Sequence, residues 1–196
     1  MSTALIVTLI VLAVAVAIAW FKAYPRRLRA TPPQLRKGSP LPEFSAVNEQ
    51  GERLRSAELQ GAPAVILFVR GNWCPFCTRQ VDDLTRYYRD IVELGARLVF
   101  VTPKPLETTR RVAEFFRVDF DFWLDEDHAV ARELGLLLKE GVPSGYAREY
   151  GGNTLWPAAL VTDAAGVIRY VELSRQISDR PDPRKLLREI RKALKS

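Results

Sequence analysis

The sequence is poor in the side chains that build metal sites and structural disulfides. Its 196 residues include two cysteines and a single histidine, His128. A structural zinc site needs four ligands, so two more would have to join the cysteines, and the chain offers one histidine. One pair of cysteines is also too few for the disulfide framework that marks small secreted domains. We therefore expect neither a metal nor a cofactor.

Acidic residues are absent from the first 40 positions. That segment carries six basic residues, whereas residues 41–196 hold the other 23 basic residues and all 23 acidic ones. The net charge of +6 therefore belongs to the N-terminal segment, and the remainder of the chain is neutral. Because no excess positive charge is left for a folded domain, we expect no nucleic-acid binding.

One long apolar run is present, from Ala4 to Phe21. At about 1.5 Å per residue, a helix of this length nearly crosses a hydrocarbon core of roughly 30 Å. Basic residues follow the run and none precedes it, which is the opposite of the flanks of a cleaved signal peptide. We predict one retained transmembrane helix, then a basic, proline-rich stalk, then a folded domain. These segments are residues 1–21, 22–40 and 41–196.

Both cysteines fall in one five-residue stretch, Trp73-Cys74-Pro75-Phe76-Cys77, directly after a strand-like apolar run. A helix that begins near Cys74 directs unpaired N–H groups and its positive dipole end at that sulfur, which favours the thiolate. Pro75 suits the first helical turn because it has no N–H. Cys77 lies one turn along, within reach of a mixed disulfide on Cys74. The spacing predicts a redox-active dithiol in which Cys74 attacks and Cys77 resolves.

Strand and helix patterns alternate along the domain, which predicts a mixed central sheet flanked by helices on both faces. The predicted strands are residues 64–70, 96–101, 120–124, 158–161 and 167–171. The predicted helices are residues 74–94, 108–118, 128–134 and 183–194. Asp127 is the predicted cap of the third helix. Four glycines in residues 139–156 predict a loop over one surface, and residues 163–166 predict a hairpin turn.

Two stretches resemble a known superfamily. Residues 68–77 resemble the active-site segment of thioredoxin-like proteins, in which a tryptophan such as Trp73 precedes the first cysteine. Residues 156–168, with a proline, a strand and an Asp-x-x-Gly hairpin, are similar to the redoxin group that includes alkyl hydroperoxide reductase and thiol-specific antioxidant. The resemblance covers about residues 38–172 and implies a thioredoxin-like fold. It also implies that Pro157 is a cis-proline packed against the dithiol.

The resemblance leaves more than one chemistry open. Our main expectation is a membrane-anchored thiol-disulfide oxidoreductase that exchanges disulfides with protein or small-molecule partners. The alternative is a peroxiredoxin-like antioxidant peroxidase that uses Cys77 or Cys74, because residues 75–80 resemble the segment around a peroxidatic cysteine and place Cys77 there. A second alternative is a non-enzymatic redox sensor. Trp73, Pro75, Phe76 and Pro157 are the expected supporting residues.

The chain departs from the peroxidase pattern at two positions. That family has a threonine or serine where Cys74 stands and an arginine where Pro157 stands, and both groups help to bind the peroxide. Arg70 or Arg148 could substitute for the arginine, although both fit ordinary surface or loop charges better. These departures weaken the peroxidase hypothesis relative to disulfide exchange.

Three further residues receive an interpretation. Phe68 replaces the buried acid of thioredoxin, so proton transfer from Cys77 lacks its usual acceptor. His128 follows an acidic run and is interpreted as part of a helix N-terminus rather than as a general base. Phe76 and Trp73 are interpreted as an apolar rim that binds a partner protein; the alternative is that they pack on their own helix.

The compartment of the domain follows from charge alone. Basic residues beside the C-terminal end of the apolar run favour a cytoplasmic domain. An extracytoplasmic domain is the alternative, since a redox-active pair of cysteines fits either compartment.

Overall fold

The structure is a computed structural model that describes residues 5–6, 10–16, 30–48, 50–104 and 121–195. Most of the predicted anchor, part of the predicted stalk and the predicted helix at residues 108–118 lie outside these ranges. Residues 5–6 and 10–16 are helical. Over the described ranges, no helix combines the length and the apolar character that crossing a bilayer requires.

Seven of the nine strands in the described ranges form one mixed sheet. The strands are β1 Ser45–Val47, β2 Arg53–Arg55, β3 Ala64–Phe68, β4 Arg97–Thr102, β5 Asp121–Leu124, β6 Leu137–Leu138, β7 Thr154–Leu155, β8 Ala158–Thr162 and β9 Ile168–Leu173. Their order in the sheet is β2-β1-β5-β4-β3-β8-β9, and β6 pairs with β7 separately. Every strand predicted from the sequence within the described residues is therefore confirmed, with small shifts at the ends.

The strand β3 lies at the centre of the packing. It runs parallel to β4 and antiparallel to β8, and all five of its residues are buried. Its apolar side chains alternate between two clusters: Val65 and Leu67 face one layer, and Ala64, Ile66 and Phe68 face the other. A strand covered on both faces needs a continuous apolar run, which is the pattern that predicted it.

Helices cover both faces of the sheet, as predicted. The described residues form α1 Pro75–Thr85, α2 Tyr88–Glu93, α3 Ala129–Glu133, α4 Ala147–Tyr150 and α5 Pro183–Ala193, with 3-10 helices at Pro33–Leu35, Ser56–Leu59 and Ser144–Tyr146. The helices α1, α2 and α5 bury apolar residues in the cluster that also holds both cysteines. The helix α3 and the first two 3-10 helices pack in the cluster on the other face.

The helix predicted at residues 74–94 is two helices in the structure. Thr85 Oγ1 donates to the carbonyl oxygen of Val81 at 2.9 Å, a side-chain bond that tends to bend a helix. The N–H of Tyr87 then bonds to the carbonyl of Leu84 at 2.9 Å, which tightens the turn and ends α1. Because both halves present apolar residues to the same cluster, periodicity alone could not reveal the break.

The loop predicted at residues 139–156 contains ordered elements. A 3-10 helix leads into α4, and β7 pairs with β6 through Leu155 and Leu137. The buried Thr154 donates from Oγ1 to the carbonyl of Arg70 at 2.8 Å. The prediction of a loop was therefore wrong at these elements, and the segment is joined to the end of the central strand.

Two aspartates cap α3. Asp127 accepts from the N–H of Ala129 at 3.0 Å, so its side chain does bond to the first turn as predicted, although the N-cap position itself is occupied by His128. The buried carboxylate of Asp125 accepts from the N–H groups of Val130 and Ala131 at 2.9 and 2.8 Å. Burial raises the pKa of Asp125, while these two hydrogen bonds oppose the shift.

The hairpin between β8 and β9 is closed by Asp163. Its Oδ1 accepts from the N–H groups of Ala165 and Val167 at 3.0 and 2.9 Å, and its Oδ2 pairs with Arg169 Nε at 2.6 Å. Burial opposes ionisation, but the hydrogen bonds from Val167 and Arg169 together lower the pKa of Asp163. The predicted turn is confirmed, and it fixes the antiparallel neighbour of β3.

Replacing Asp163 by alanine should lower the free energy of unfolding by about 2 kcal/mol, because two backbone N–H groups lose their acceptor. The Asp163→Asn variant keeps an acceptor oxygen and loses mainly a partly exposed ion pair, so it should cost less than half as much. Urea denaturation at neutral pH measures both values. The pKa of Asp163 is lower in the folded than in the unfolded protein. Its carboxylate therefore contributes fully to the free energy of unfolding above the unfolded-state pKa of about 3.9. That contribution is lost as the pH falls through the folded-state pKa. Equal losses in the two variants would contradict this assignment.

Candidate active site

The two cysteines lie where the central strand β3 passes into α1. Cys74 is the N-cap of α1, with φ −93° and ψ 108°, so its side chain sits at the amino end of the helix. Pro75 occupies the first helical position, where no N–H is needed. Gly71 has φ 136°, and a Cβ there would lie 2.9 Å from Trp73 Nε1. A glycine at this position is therefore required for the turn that leads to the dithiol.

Both cysteines are free thiols, and each is 1% exposed. The thiol of Cys77 is hydrogen-bonded to the sulfur of Cys74. The Sγ of Cys77 also accepts from the backbone N–H of Arg70 at 3.4 Å. Arg180 Nη2 lies 3.0 Å from Cys77 Sγ and 3.5 Å from Cys74 Sγ. Arg70 is also hydrogen-bonded to the sulfur of Cys74. The two sulfurs are therefore joined by a hydrogen bond and lie beside two guanidinium groups, of which Arg180 contacts both sulfurs.

The two thiols differ in acidity. The hydrogen bond from Cys77, together with the charges of Arg180 and Arg70, lowers the pKa of Cys74 to about 6, although burial opposes the shift. Burial raises the pKa of Cys77 well above its ordinary value, and the hydrogen bond with Cys74 acts in the same direction. Near neutral pH the site holds one thiolate, on Cys74, and one protonated thiol, on Cys77. This asymmetry suits the predicted roles of attacking and resolving cysteine.

Arg70 is a buried residue of the site, so its interpretation as an ordinary surface or loop charge was wrong. Its side chain is 4% exposed, its Nη2 donates to the carbonyl of Gly141, and its guanidinium lies 4.6 Å from the ring centroid of Trp73. Burial, and then the nearby charge of Arg180, lower the pKa of Arg70, while the two sulfurs oppose the shift. Arg70 thus connects the start of the dithiol segment to the chain at residue 141.

Arg180 is the functional residue that sequence reasoning missed. It comes from the segment between β9 and α5, 103 positions beyond Cys77. That segment has no periodic pattern and no motif, so nothing in the sequence indicated that it returns to the dithiol. Arg148, the other candidate cation, is exposed on α4.

A cavity of about 320 Å³ opens beside Cys74. Its lining includes Arg70, Trp73, Cys74, Val142 and Ile177. The lining is mainly apolar, and Glu140 is its one carboxylate among the described residues. The sulfur available from this cavity is that of Cys74, since Cys77 is absent from its described lining.

The aromatic residue before the dithiol packs rather than projecting into solvent. The ring of Trp73 stacks on Tyr146 at 6.0 Å and meets Tyr150 edge-on at 6.5 Å. Phe76 is 40% exposed and lines the cavity with Pro75. Of the two residues predicted to form an apolar rim, Phe76 is therefore at the surface and Trp73 is part of the wall beneath it.

The prediction that Pro157 is a cis-proline was wrong. No cis peptide bond occurs among the described residues, and Pro157 is therefore preceded by a trans bond. The N–H of Trp156 bonds to the carbonyl of Leu136 at 2.6 Å, and the carbonyl of Pro157 accepts from Ser174 at 3.0 Å. These sheet-like bonds keep the chain extended from β7 into β8. A trans bond at this position fits that extended path.

Two minor interpretations can be compared with the structure. Phe68 is buried in the apolar cluster on the face opposite the cysteines, so it lies away from the thiols. His128 precedes α3 with φ 60°, and its Nε2 lies 3.0 Å from the carbonyl oxygen of Asn153. The interpretation of His128 as part of a helix N-terminus is confirmed.

Replacing Cys77 by alanine should raise the pKa of Cys74 from about 6 toward the free value of about 8.5, because the main hydrogen bond to the thiolate is lost. The Cys77→Ser variant keeps an O–H donor and should stay closer to the wild-type value. The ultraviolet absorbance of the thiolate, followed against pH, measures both shifts. If alanine and serine gave the same pKa, the Cys77 hydrogen bond would not be the cause.

Most of the chain is similar to a known protein family and to curated relatives. A family model described as the AhpC/TSA family matches residues 37–171. Peroxiredoxin Bcp of Escherichia coli (strain K12) is 26% identical over 137 residues, which span 70% of this chain and 85% of that protein. Chloroplastic peroxiredoxin Q of Triticum aestivum is 25% identical over 135 residues, 69% of this chain. The chain spans 58% of the length of the wheat protein.

Solved structures support the fold. The peroxidoxin BcpB of Mycobacterium tuberculosis aligns with a TM-score of 0.64 at 21% identity, covering 83% of this chain and 99% of that one. The bacterioferritin comigratory protein of Xanthomonas campestris aligns with a TM-score of 0.59 at 13% identity, covering 76% and 90%. The expected thioredoxin-like fold is confirmed. The family model matches residues 37–171, which is well over half of this chain. The protein therefore belongs to the AhpC/TSA family.

Proposed function

We propose that the protein is an oxidoreductase that reduces hydroperoxides, with Cys74 as the attacking thiolate and Cys77 as the resolving thiol. One observation carries the proposal: the site holds a single stabilised thiolate in contact with a protonated thiol and a guanidinium. The names of the related proteins, peroxiredoxins Bcp and Q, favour this hypothesis over our main expectation of disulfide exchange.

Cys74 is the better candidate for the attack on the peroxide. A thiolate is the nucleophilic form of cysteine, and the lowered pKa belongs to Cys74. Its sulfur also borders the cavity from which a small substrate would arrive. The resemblance to peroxidatic segments had placed Cys77 in this role. The electrostatics of the site favour the reverse assignment, because burial keeps Cys77 protonated.

The proposed reaction has three steps. The Cys74 thiolate attacks one peroxide oxygen, a sulfur–oxygen bond forms, the O–O bond breaks, and the leaving oxygen takes a proton from solvent to give an alcohol. The sulfenic acid on Cys74 then condenses with the thiol of Cys77, which forms the disulfide and releases water. Two equivalents of an external thiol finally reduce the disulfide. The peroxide receives two electrons, and the external thiols supply them.

The Cys74→Ser variant should lose peroxide reduction down to the rate of a protein-free control, because no thiolate remains beside the cavity. The Cys77→Ser variant should consume about one peroxide per chain and then stop with a sulfenic acid on Cys74, since the resolving thiol is gone. Peroxide consumption and mass spectrometry of the modified cysteine measure these outcomes. Activity that survives loss of Cys74 but needs Cys77 would reverse the two roles.

Disulfide exchange is the second candidate, and exposed apolar side chains around the cavity favour it. Phe76, Tyr146 and Ile177 are 40%, 46% and 42% exposed, which would suit the docking of a partner polypeptide. Reduction of insulin disulfides by the wild type, with no peroxide consumption, would select this function. A protein inactive in both assays that changes partners on oxidation would instead be the redox sensor.

We propose that the N-terminal segment anchors the protein in a membrane with the domain on the cytoplasmic side. The apolar run at residues 4–21 and the basic residues after it support this, and Leu5, Ile6 and Ile10 are exposed in the described part of the run. The full chain should stay in the membrane pellet after alkaline extraction. A reporter fused after Ser196 should respond as a cytoplasmic one. Release by alkali would contradict the anchor, and an extracytoplasmic signal would contradict the orientation.

A further inference from the structure

We infer that Glu140 makes the cavity beside Cys74 selective by charge, so that it disfavours hydroperoxides that carry a carboxylate relative to neutral ones. The inference rests on the proposed reduction of hydroperoxides. Glu140 is the one carboxylate in the described lining of this cavity, and none of the proposed reaction steps uses it. Glu140 therefore acts on which reactants approach the thiolate, and it is a specificity-determining residue rather than a catalytic one.

The backbone at Glu140 is the first argument. Its φ is 50°, in the left-handed region that favours glycine. A non-glycine residue in this region costs free energy and persists only where the surrounding structure fixes it, which occurs most often at functional sites. The chain thus keeps a carboxylate at a position on the cavity where glycine would be less strained.

Hydrogen bonds on both sides of Glu140 hold it at the cavity, and they are the second argument. Its own N–H donates to Asn153 Oδ1 at 3.2 Å. The carbonyl of the next residue, Gly141, accepts from the Nη2 of Arg70. Thr154 Oγ1 donates to the carbonyl of Arg70 at 2.8 Å, so the chain after Asn153 is joined to the same residue. The backbone of Glu140 is therefore fixed relative to the segment that carries the dithiol.

The third argument is the balance of charge around the cavity. Arg70 is hydrogen-bonded to the sulfur of Cys74, and Arg180 Nη2 lies 3.5 Å from it. The thiolate balances one of these two positive charges. Glu140 is exposed and supplies a second negative charge, and over the described parts of the chain no cation forms an ion pair with it. Without Glu140, the surroundings of the thiolate would be positive and would attract anions.

The cavity is small enough for this charge to act on a reactant inside it. Its volume is about 320 Å³. The Debye length is roughly 10 Å at 0.1 M salt, so a charge on the wall is only partly screened from a solute in the cavity. Two unit charges about 8 Å apart, at an effective dielectric constant of about 60, interact strongly enough to change a rate about threefold.

The test compares two alkylating reagents that differ in charge. The reduced full chain, as wild type, Glu140→Gln and Glu140→Lys, is reacted at one pH with anionic iodoacetate and, separately, with neutral iodoacetamide. Because both reagents react with the same thiolate, the ratio of their rates is independent of the acidity of Cys74. We expect the iodoacetate-to-iodoacetamide ratio to rise about threefold in Glu140→Gln and about tenfold in Glu140→Lys, which changes the charge by two units. Raising the salt to about 1 M should remove most of both increases.

The same variants test the choice of hydroperoxide. Cumene hydroperoxide and its para-carboxylate differ mainly in charge, so the relative rate of the carboxylate should rise in Glu140→Gln and Glu140→Lys by similar factors. The matched control is Glu149→Gln, which removes an exposed carboxylate from the same segment but outside the described lining of the cavity. This control should leave both ratios unchanged.

Unchanged ratios in both Glu140 variants would overturn the inference. An equal rise in Glu149→Gln would overturn it as well, because it would show an effect of the overall charge of the domain rather than of Glu140. Alkylation ratios that shift as expected, in a protein that reduces neither hydroperoxide, would support charge selection at Cys74 and refute the proposed function instead.

Discussion

The whole site depends on one buried negative charge and its compensation. A thiolate in an apolar cluster is unfavourable unless hydrogen bonds and an opposite charge stabilise it. Here the stabilising groups are the thiol of Cys77 and the guanidinium groups of Arg180 and Arg70. Arg180 Nη2 lies 3.5 Å from the sulfur of Cys74, and Arg70 is hydrogen-bonded to the same sulfur. Without the thiolate, the guanidinium of Arg180 would keep its hydrogen bonds to two carbonyl oxygens but would have no anionic partner among the described residues. The lowered pKa of Cys74 and the position of the segment between β9 and α5 therefore depend on the same contact, that between Arg180 and the sulfur of Cys74.

The fold brings these groups together from distant parts of the chain. The central strand β3 delivers the dithiol at its carboxyl end, and the turn at Gly71 allows α1 to begin there. Arg70 fixes the cavity wall at Gly141, while Arg180 arrives from beyond β9. Only the dithiol segment is local in sequence. The sheet positions the dithiol so that Arg180 reaches both sulfurs and the segment at Gly141 reaches Arg70 beside them.

Local chemistry was predictable from the sequence, and long-range assembly was not. The apolar run before Trp73 predicted the central strand, and the spacing of Cys74 and Cys77 predicted their unequal roles. The resemblance predicted coverage of residues 38–172, and the family match spans residues 37–171. Arg180 could not be found, because a charged residue in an irregular segment has no signature until the fold positions it. The break after Thr85 was hidden by a common apolar face, and the cis bond at Pro157 was carried over from a family pattern that this chain does not follow.

The central claim is that the negative charge resides on Cys74 and that Cys77 keeps its proton. Nuclear magnetic resonance of the reduced full chain, with isotope-labelled cysteine, follows the two side chains separately against pH. The account predicts that the Cβ resonance of Cys74 titrates with a midpoint near 6, the pKa of about 6 set by Cys77 and the two arginines. The resonance of Cys77 should show no ionisation of its own in that range. Ionisation of Cys77 before Cys74 would contradict the account.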